Sequence, residues 1–409
     1  MIVKLAWKNC WRNKFSSILS IILISISILI LSSVYFVESQ IDKQFNSNLD
    51  RIDMVLGASG SPLQLILSSV FHLDNPTGNI NFEKAKKWMN HPFIDKAIPL
   101  AYGDSYNGIR IIGTDYQYFK HYKAKLHQGN FFNKDFEVVL GSLVAKNKSL
   151  KIGNTFYSSH GNDPNGEVHK EKKYKVVGIL EPTEKVIDQL IISNIPSVWR
   201  IHENHENLDH DKNNLHAKSE DLHESYKEDK REITAVLMCF RNPMAIIQFP
   251  RLIKKKNPEF QIAIPINEVN RLLNLIGFGL EGLKFFCLGI LIISAFSIFI
   301  SILNNLKDRQ YELAILRSMG ISRLNLFLLI QLEAIILSIT GFLIGLILSK
   351  CAIFYISAQS PLITQVNFLD IKVDLLLGVF CLIAGLIAGL IPALKIYFIR
   401  ISKILSYEN

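Results

Sequence analysis

DRQYELAILRSMGISRLNLFLLIQLEA, residues 308–334, begins charged and ends apolar. It follows one long apolar run, 275–303, and leads into another, 324–349. On a helix, Tyr311, Ala314, Ile315 and Met319 share one face, while Asp308, Arg309 and Glu312 share another. Gly320 stands where a helix stops, and Ser322 suits the N-cap of the next one. The stretch therefore reads as a short amphipathic helix that turns sharply into a membrane span. A helix lying in headgroups carries a broad apolar face with cations opposite it. This one has a narrow apolar face and two acids, which suits docking on a protein.

Four apolar runs surround this segment, at 15–37, 275–303, 324–349 and 373–399. Each reaches the roughly 20 residues that a helix needs to cross about 30 Å of hydrocarbon. The first is too long for a signal-peptide core and no small-x-small cleavage site follows it, so it reads as a retained anchor. Lys4, Lys8, Arg12 and Lys14 precede it, the 304–323 loop holds Lys307, Arg309, Arg317 and Arg323, and the end of the chain holds Lys395, Arg400 and Lys403. The 350–372 loop has cations only at its edges, Lys350 and Lys372. This bias places 1–14, 304–323 and 400–409 in the cytoplasm and 38–274 outside. The expected fold is thus membrane α-helical, with four transmembrane helices and a large extracytoplasmic α+β domain between spans 1 and 2.

The formal charge of +9 is partly this topological bias. It is no sign of nucleic acid, and no nucleic-acid motif is present. Of five cysteines only Cys239 falls in the outer segment, which therefore holds no internal disulfide.

The outer segment has mixed texture. VVLGSLVAKNKSLKIGNTF (138–156) reads strand, turn, short helix, turn, strand, and KYKVVGIL (173–180), TAVLMCF (234–240) and QIAIPI (261–266) read as strands. Val269, Leu272, Leu273, Ile276 and Leu280 fall at helical spacing. They fit a stalk that continues span 2 outward, with ESQIDKQFNSNLDRI (38–52) as its partner, or an ordinary helix packed on the domain. GASGSPLQLILSSVFHLDNPTGNI (57–80) fits either core packing or an apolar segment that touches a lipophilic substrate.

Residues 202–232 are dominated by charged, Asn and His residues and read as a loop inserted in the domain. His202, His205, His210, His216 and His223 lie in it, and His160 and His169 flank another turn, HGNDPNGEVH. Imidazole and carboxylate are zinc ligands. The spacing matches no single tetrahedral site, so a loose zinc-binding loop and a solvated polar loop both stay open. No catalytic constellation is evident.

YELAILRSMGISRLNLFLLIQLEAIILS (311–338) resembles the cytoplasmic loop and following span of the MacB/FtsX-like permeases, the membrane subunits of an ABC transporter superfamily, with their E-x-A-hydrophobic-x-R-x-hydrophobic-G pattern. LAWKNCWRNKFSS (5–17) is similar to that family's amphipathic start, and LIAGLIPALKIYFIRISKIL (386–405), with Gly389, Pro392 and Ala393, to its ending. The resemblance implies that the loop helix rests in a groove of a cytoplasmic ATPase and that a stalk carries its motion outward, a mechanotransmission mechanism. Carried over, Glu312, Leu313, Leu316, Arg317, Met319 and Gly320 form the ATPase-docking set. The chain has no G-x-x-x-x-G-K-[ST], so ATP and its magnesium belong to a separate ATPase subunit and this chain is not itself an enzyme. A second permease copy or a sister permease, and a periplasmic lipoprotein or adaptor, are further expected partners.

Length and layout are similar to those of the lipoprotein-releasing permeases of the cell inner membrane, which implies release of a lipoprotein, lipid or peptide. Regulation of envelope enzymes and zinc-linked export are the rival readings. Glu333 counts as about nine residues into the third span, where an ionisable group faces a bundle interior or a partner. A structural role is favoured over ion conduction.

Overall fold

The computed structural model describes residues 2–159, 172–201, 231–359 and 371–397. The chain forms two compact units: Met1–Ile41 together with Leu275–Asn409, and Asp42–Asn274.

The helices of the first unit are α1 (Ile2–Cys10), α2 (Lys14–Leu49), which ends in the second unit, and four more described below. Within the second unit lie α3 (Pro62–Ser69), α4 (Phe82–Met89), α5 (Tyr116–His121), α6 (Ser142–Lys148) and α7 (Ala245–Lys256). Then come α8 (Pro265–Asp308), α9 (Gln310–Ser318), α10 (Arg323–Gln359) and α11 (Ile371–Tyr397). Helices α2, α8, α10 and α11 are each long and apolar enough to cross a membrane. At 1.5 Å per residue, α2 and α8 extend about 54 and 66 Å, well beyond the roughly 30 Å of hydrocarbon.

Two boundaries differ from the sequence expectation. QIAIPI is only half strand: pairing ends at Ala263 and Pro265 opens α8, because proline lacks a ladder donor and its fixed φ suits the first helical turn. The helix that holds the third apolar run continues past 349 to Gln359, and Lys350 within it is paired with Asp374 of α11.

The second unit is built on a ten-stranded mixed sheet. Its strands are β1 (Met54–Ala58), β3 (Ile94–Tyr106), β4 (Ile109–Thr114), β5 (Leu126–Gly129), β6 (Glu137–Leu140), β7 (Thr155–Phe156), β8 (Tyr174–Leu180), β9 (Ile191–Asn194), β11 (Ala235–Phe240) and β12 (Phe260–Ala263). Between them β2 (Ile80–Asn81) and β10 (Glu232–Ile233) form a separate two-stranded ladder. The order across the main sheet is β12-β1-β11-β3-β4-β9-β6-β8-β5, with β7 on β8. Pairing is antiparallel except for β4 with β9 and β6 with β8.

Both faces are covered, so the strands read as apolar runs rather than alternating ones. Val55, Ile98, Ile112, Val139, Ile192 and Leu237 point to one core. Their neighbours point to two cores on the other face, Met54, Val236 and Met238 to one, Ile111, Val138 and Ile191 to the other. The outer ends of both long helices join the first core: Phe45 and Leu49 from α2, Val269 and Leu273 from α8. Asn48 adds a polar tie, its Oδ1 accepting from Val186 N at 2.8 Å. Asp188 closes the 183–188 loop by accepting from the Thr183 and Glu184 amides.

The 57–80 segment belongs to the same core. Leu65, Ile66, Val70 and Phe71 are buried there. Gly57 has a physical reason: a Cβ on it would run into Leu65, so glycine lets α3 settle on β1. His72 holds a left-handed backbone, φ 54°, and its ring is bonded at Nδ1 to the Tyr102 hydroxyl and at Nε2 to the Tyr118 hydroxyl at 2.9 Å.

Candidate functional site

Depth in the bundle follows from how the span helices pack. Gly341 and Gly345 of α10 lie against Ile24 and Ile28 of α2, and Ser25 Oγ donates to Gly341 O at 2.9 Å. Four residues on one helix match four on the other, so α2 and α10 run side by side in the same direction. Small residues allow this approach, as membrane helices require where no hydrophobic force separates helix from lipid. Across α10, Gly385 and Gly389 of α11 pack on Ser338 and Ala334, and Gln331 Nε2 donates to Leu386 O at 2.8 Å.

Carried back about two turns, the α2–α10 register puts Glu333 level with Ser16, at the cytoplasmic start of span 1. In the first turns of α10, Leu326, Leu329 and Ile330 pack with Cys10, Leu306, Leu313 and Ile396, while Leu324 and Leu328 are exposed.

A polar layer closes this inner mouth. Arg309 follows α8 and is 4% exposed; Glu333 is 2% exposed. Arg309 donates from Nη1 to Glu333 Oε1 at 3.3 Å and from Nε to Glu312 Oε2 at 3.1 Å. Asn9 of α1 donates to the same Glu333 oxygen at 2.7 Å, and Cys10 Sγ faces the Glu333 carbonyl at 3.6 Å. Arg12 Nη1 donates to Glu312 Oε1 at 2.7 Å. Asn13 and Asn305 are hydrogen-bonded beside them. Hydrogen bonds from Arg12, then from Arg309, hold the Glu312 carboxyl below its ordinary range.

The layer thus joins α1, α9 and α10 through one carboxylate pair and one buried guanidinium. A buried charge is tolerated only when paired and hydrogen-bonded, so each partner fixes the others. Arg309 is the residue that the sequence did not reveal: by spacing it shares an exposed face with Asp308 and Glu312. Only the acid within an apolar run hinted that a buried cation was needed.

Helix α9 is capped as its sequence implies. Gly320 has φ +95°, and its N–H and that of Ile321 return to Arg317 O and Leu316 O at 3.1 and 3.2 Å. Ser322 Oγ accepts from Asn325 N at 3.2 Å and starts α10. Leu313 and Ala314 turn inward and are buried. The exposed side of α9 instead carries the i+4 neighbours Tyr311, Ile315 and Met319, with Met319 77% exposed. Glu312 and Gly320 are exposed, while Leu316 and Arg317 are half-buried.

Two family models match the chain: the MacB-like periplasmic core domain over residues 17–224, about half of it, and the FtsX-like permease C-terminal region over 284–401. The chain belongs to the MacB/FtsX-like ABC transporter permeases.

Three solved structures resemble this permease at low identity. The periplasmic region of MacB from Actinobacillus actinomycetemcomitans has 13% identity and a TM-score of 0.36, covering 57% of this chain and 98% of that one. The extracellular domain of the noncanonic ABC-type transporter YknZ from Gram-positive bacteria has 12% identity and a TM-score of 0.30, covering 51% and 98%. A domain of a putative permease protein from Porphyromonas gingivalis has 12% identity and a TM-score of 0.28, covering 53% and 88%. No curated protein matches the chain significantly.

Membership implies a cytoplasmic ABC ATPase as partner and puts the 42–274 unit on the periplasmic side, so α1 and α9 face the cytoplasm. The permease has a second ionic level. Glu38 of α2 pairs with Lys284 of α8 at 2.5 Å, and the same ammonium lies 4.7 Å from the Tyr35 ring centroid. Lys350 of α10 pairs with Asp374 of α11 at 2.9 Å. From Ser16 to Tyr35 is about 19 residues, or about 29 Å of helix, which matches the hydrocarbon thickness. The charged pairs therefore bracket the apolar slab. The sequence-expected zinc residues His160, His169, His202, His205, His210, His216 and His223 lie outside the described residues. Among the described residues no group of three or more His, Cys, Asp or Glu side chains could hold a metal.

Proposed function

We propose that this permease turns ATP hydrolysis in a separate cytoplasmic ABC ATPase into a shape change of its periplasmic domain, in the cell inner membrane, and that the change releases a lipoprotein, lipid or peptide. The observation that supports this is a cytoplasmic helix anchored at the inner mouth, together with two span helices longer than a bilayer needs. Helix α9 presents Tyr311, Ile315 and Met319 to the cytoplasm and is bolted at its base to α1 and α10 through Arg309, Glu312 and Glu333. Spans 1 and 2 are unbroken helices, 36 and 44 residues long, whose far ends are core residues of the outer domain. A displacement at the inner mouth has stiff elements to travel along, and no catalytic or ion-conducting group is required on the way. A second copy or a sister permease completes the working unit.

The exposed docking face gives the test. Ile315→Asp with Met319→Asp places two charges on that face and touches no partner of the polar layer. Co-purification of the ATPase should be lost while membrane insertion is unchanged. Undiminished co-purification would refute docking through α9. This pair is a cleaner probe than reversing Glu312, whose carboxylate also holds Arg12 and Arg309.

A further inference from the structure

Helix α1 has a buried side and an exposed side, and only the buried one is explained by the polar layer. At 100° per residue, Ala6, Asn9 and Cys10 fall on the face packed against the bundle, and all three are buried. Val3 and Trp7, at i and i+4, are exposed, as is Trp11 in the turn that follows the helix; the two indoles lie 6.4 Å apart. Lys4 and Lys8, about 60° and 100° round the helix from Trp7, are exposed too. No acid occurs before Glu38, so nothing in this part of the sequence offsets these cations. Phe15, 84% exposed, continues the apolar surface into the start of span 1.

The place of α1 is set by the span that follows it and by Asn9 on Glu333, which lies level with Ser16. That level is the cytoplasmic edge of the hydrocarbon. Indoles favour such an edge because the ring is apolar and the N–H is polar. Cations beside them complement the negative cytoplasmic leaflet. A face of this kind exposed to water alone would leave two tryptophans without a solvent-excluding neighbour.

We propose that α1 is a site for an anionic phospholipid of the cytoplasmic leaflet, with Val3, Trp7 and Trp11 against the acyl–headgroup boundary and Lys4 and Lys8 on the phosphate. Because Asn9 and Arg12 tie α1 to Glu333 and Glu312, lipid on this face loads the base of α9. That last step rests on the proposed coupling role; the lipid site does not.

The test uses the full chain, without ATPase, in phosphatidylcholine vesicles that contain a minor share of phosphatidylglycerol, with bromine on one lipid or the other. Bromine quenches nearby indoles, and subtracting the Trp7→Phe/Trp11→Phe chain isolates the two α1 residues from Trp88 and Trp199. Brominated phosphatidylglycerol should quench up to about thirtyfold more per molecule than brominated phosphatidylcholine, the factor expected for two cations at an anionic leaflet. The excess should shrink with salt, and Lys4→Gln/Lys8→Gln should abolish it and leave the phosphatidylcholine signal. Equal quenching by both lipids in the unaltered chain overturns the anionic site. No quenching by either overturns the membrane face altogether and hands the stripe to a protein partner. Neither result bears on ATPase binding, so the docking proposal stands or falls separately.

Discussion

Removing the Arg309 charge is the sharpest probe of the inner mouth. Arg309→Met keeps most of the side-chain volume and leaves Glu333, buried, with Asn9 as its side-chain partner. Breaking a buried pair from one side costs about 3–5 kcal/mol, because the remaining charge is uncompensated. Taking about 3 kcal/mol as the local loss, the population of open inner mouths should rise about 100-fold. Cys10 reports on that opening, since it is buried and its sulfur touches the Glu333 carbonyl. In a Cys351→Ser background, which removes the exposed thiol, the rate of Cys10 alkylation should rise about 100-fold in Arg309→Met. Adding Glu333→Gln, which takes away the orphaned charge, should recover most of the protection. An unchanged rate in Arg309→Met would refute the claim that this pair holds α1, α9 and α10 together. No recovery in the double variant would show that lost packing, not charge, was responsible.

Two further predictions concern other parts of the chain. Gly345→Ala should destabilise the bundle by about 1–3 kcal/mol, because its Cβ would meet Ser25 O and Ile28; Gly289→Ala, with nothing nearby, should leave the melting temperature in detergent unchanged or raised. Burial, then Arg110, holds His72 at about 3 against an ordinary 6.5. The unfolded chain therefore takes up a proton that the folded domain refuses, and stability should fall as pH drops below 6.5. His72 should contribute about 1.4 kcal/mol per unit, levelling near pH 3, beside a second contribution from His121, which burial, then Lys185, holds at about 4. His72→Gln should reduce the slope by about 1.4 kcal/mol per unit in denaturant titrations read from Trp88 and Trp199. A slope unchanged by this substitution would show that another group carries the acid lability.

The four crossings, their direction and the α9–turn–α10 segment were legible in the residues because each depends on short-range rules. An apolar run long enough to span a bilayer needs no tertiary partner to be recognised, and Lys and Arg near span ends set orientation without reference to packing. Gly320 and Ser322 do their work within one turn of themselves. Strands such as 138–140 and 174–180 were legible from β-branched runs, although the mixed order of the sheet was not, since pairing joins residues far apart in the chain.

Packing decided the rest. Glu333 sits at the inner mouth because glycines 341 and 345 fix the register of α10 against α2, and a register is a relation between two surfaces. Leu313 faces inward and Met319 outward for the same reason: amphipathic spacing names two faces of α9, and only its neighbours choose which one is covered. Arg309 is buried 24 residues from its carboxylate. Lys350 is likewise paired with Asp374, 24 positions on. No local pattern encodes such pairs, because the cost of a buried charge depends on what three-dimensional folding brings beside it.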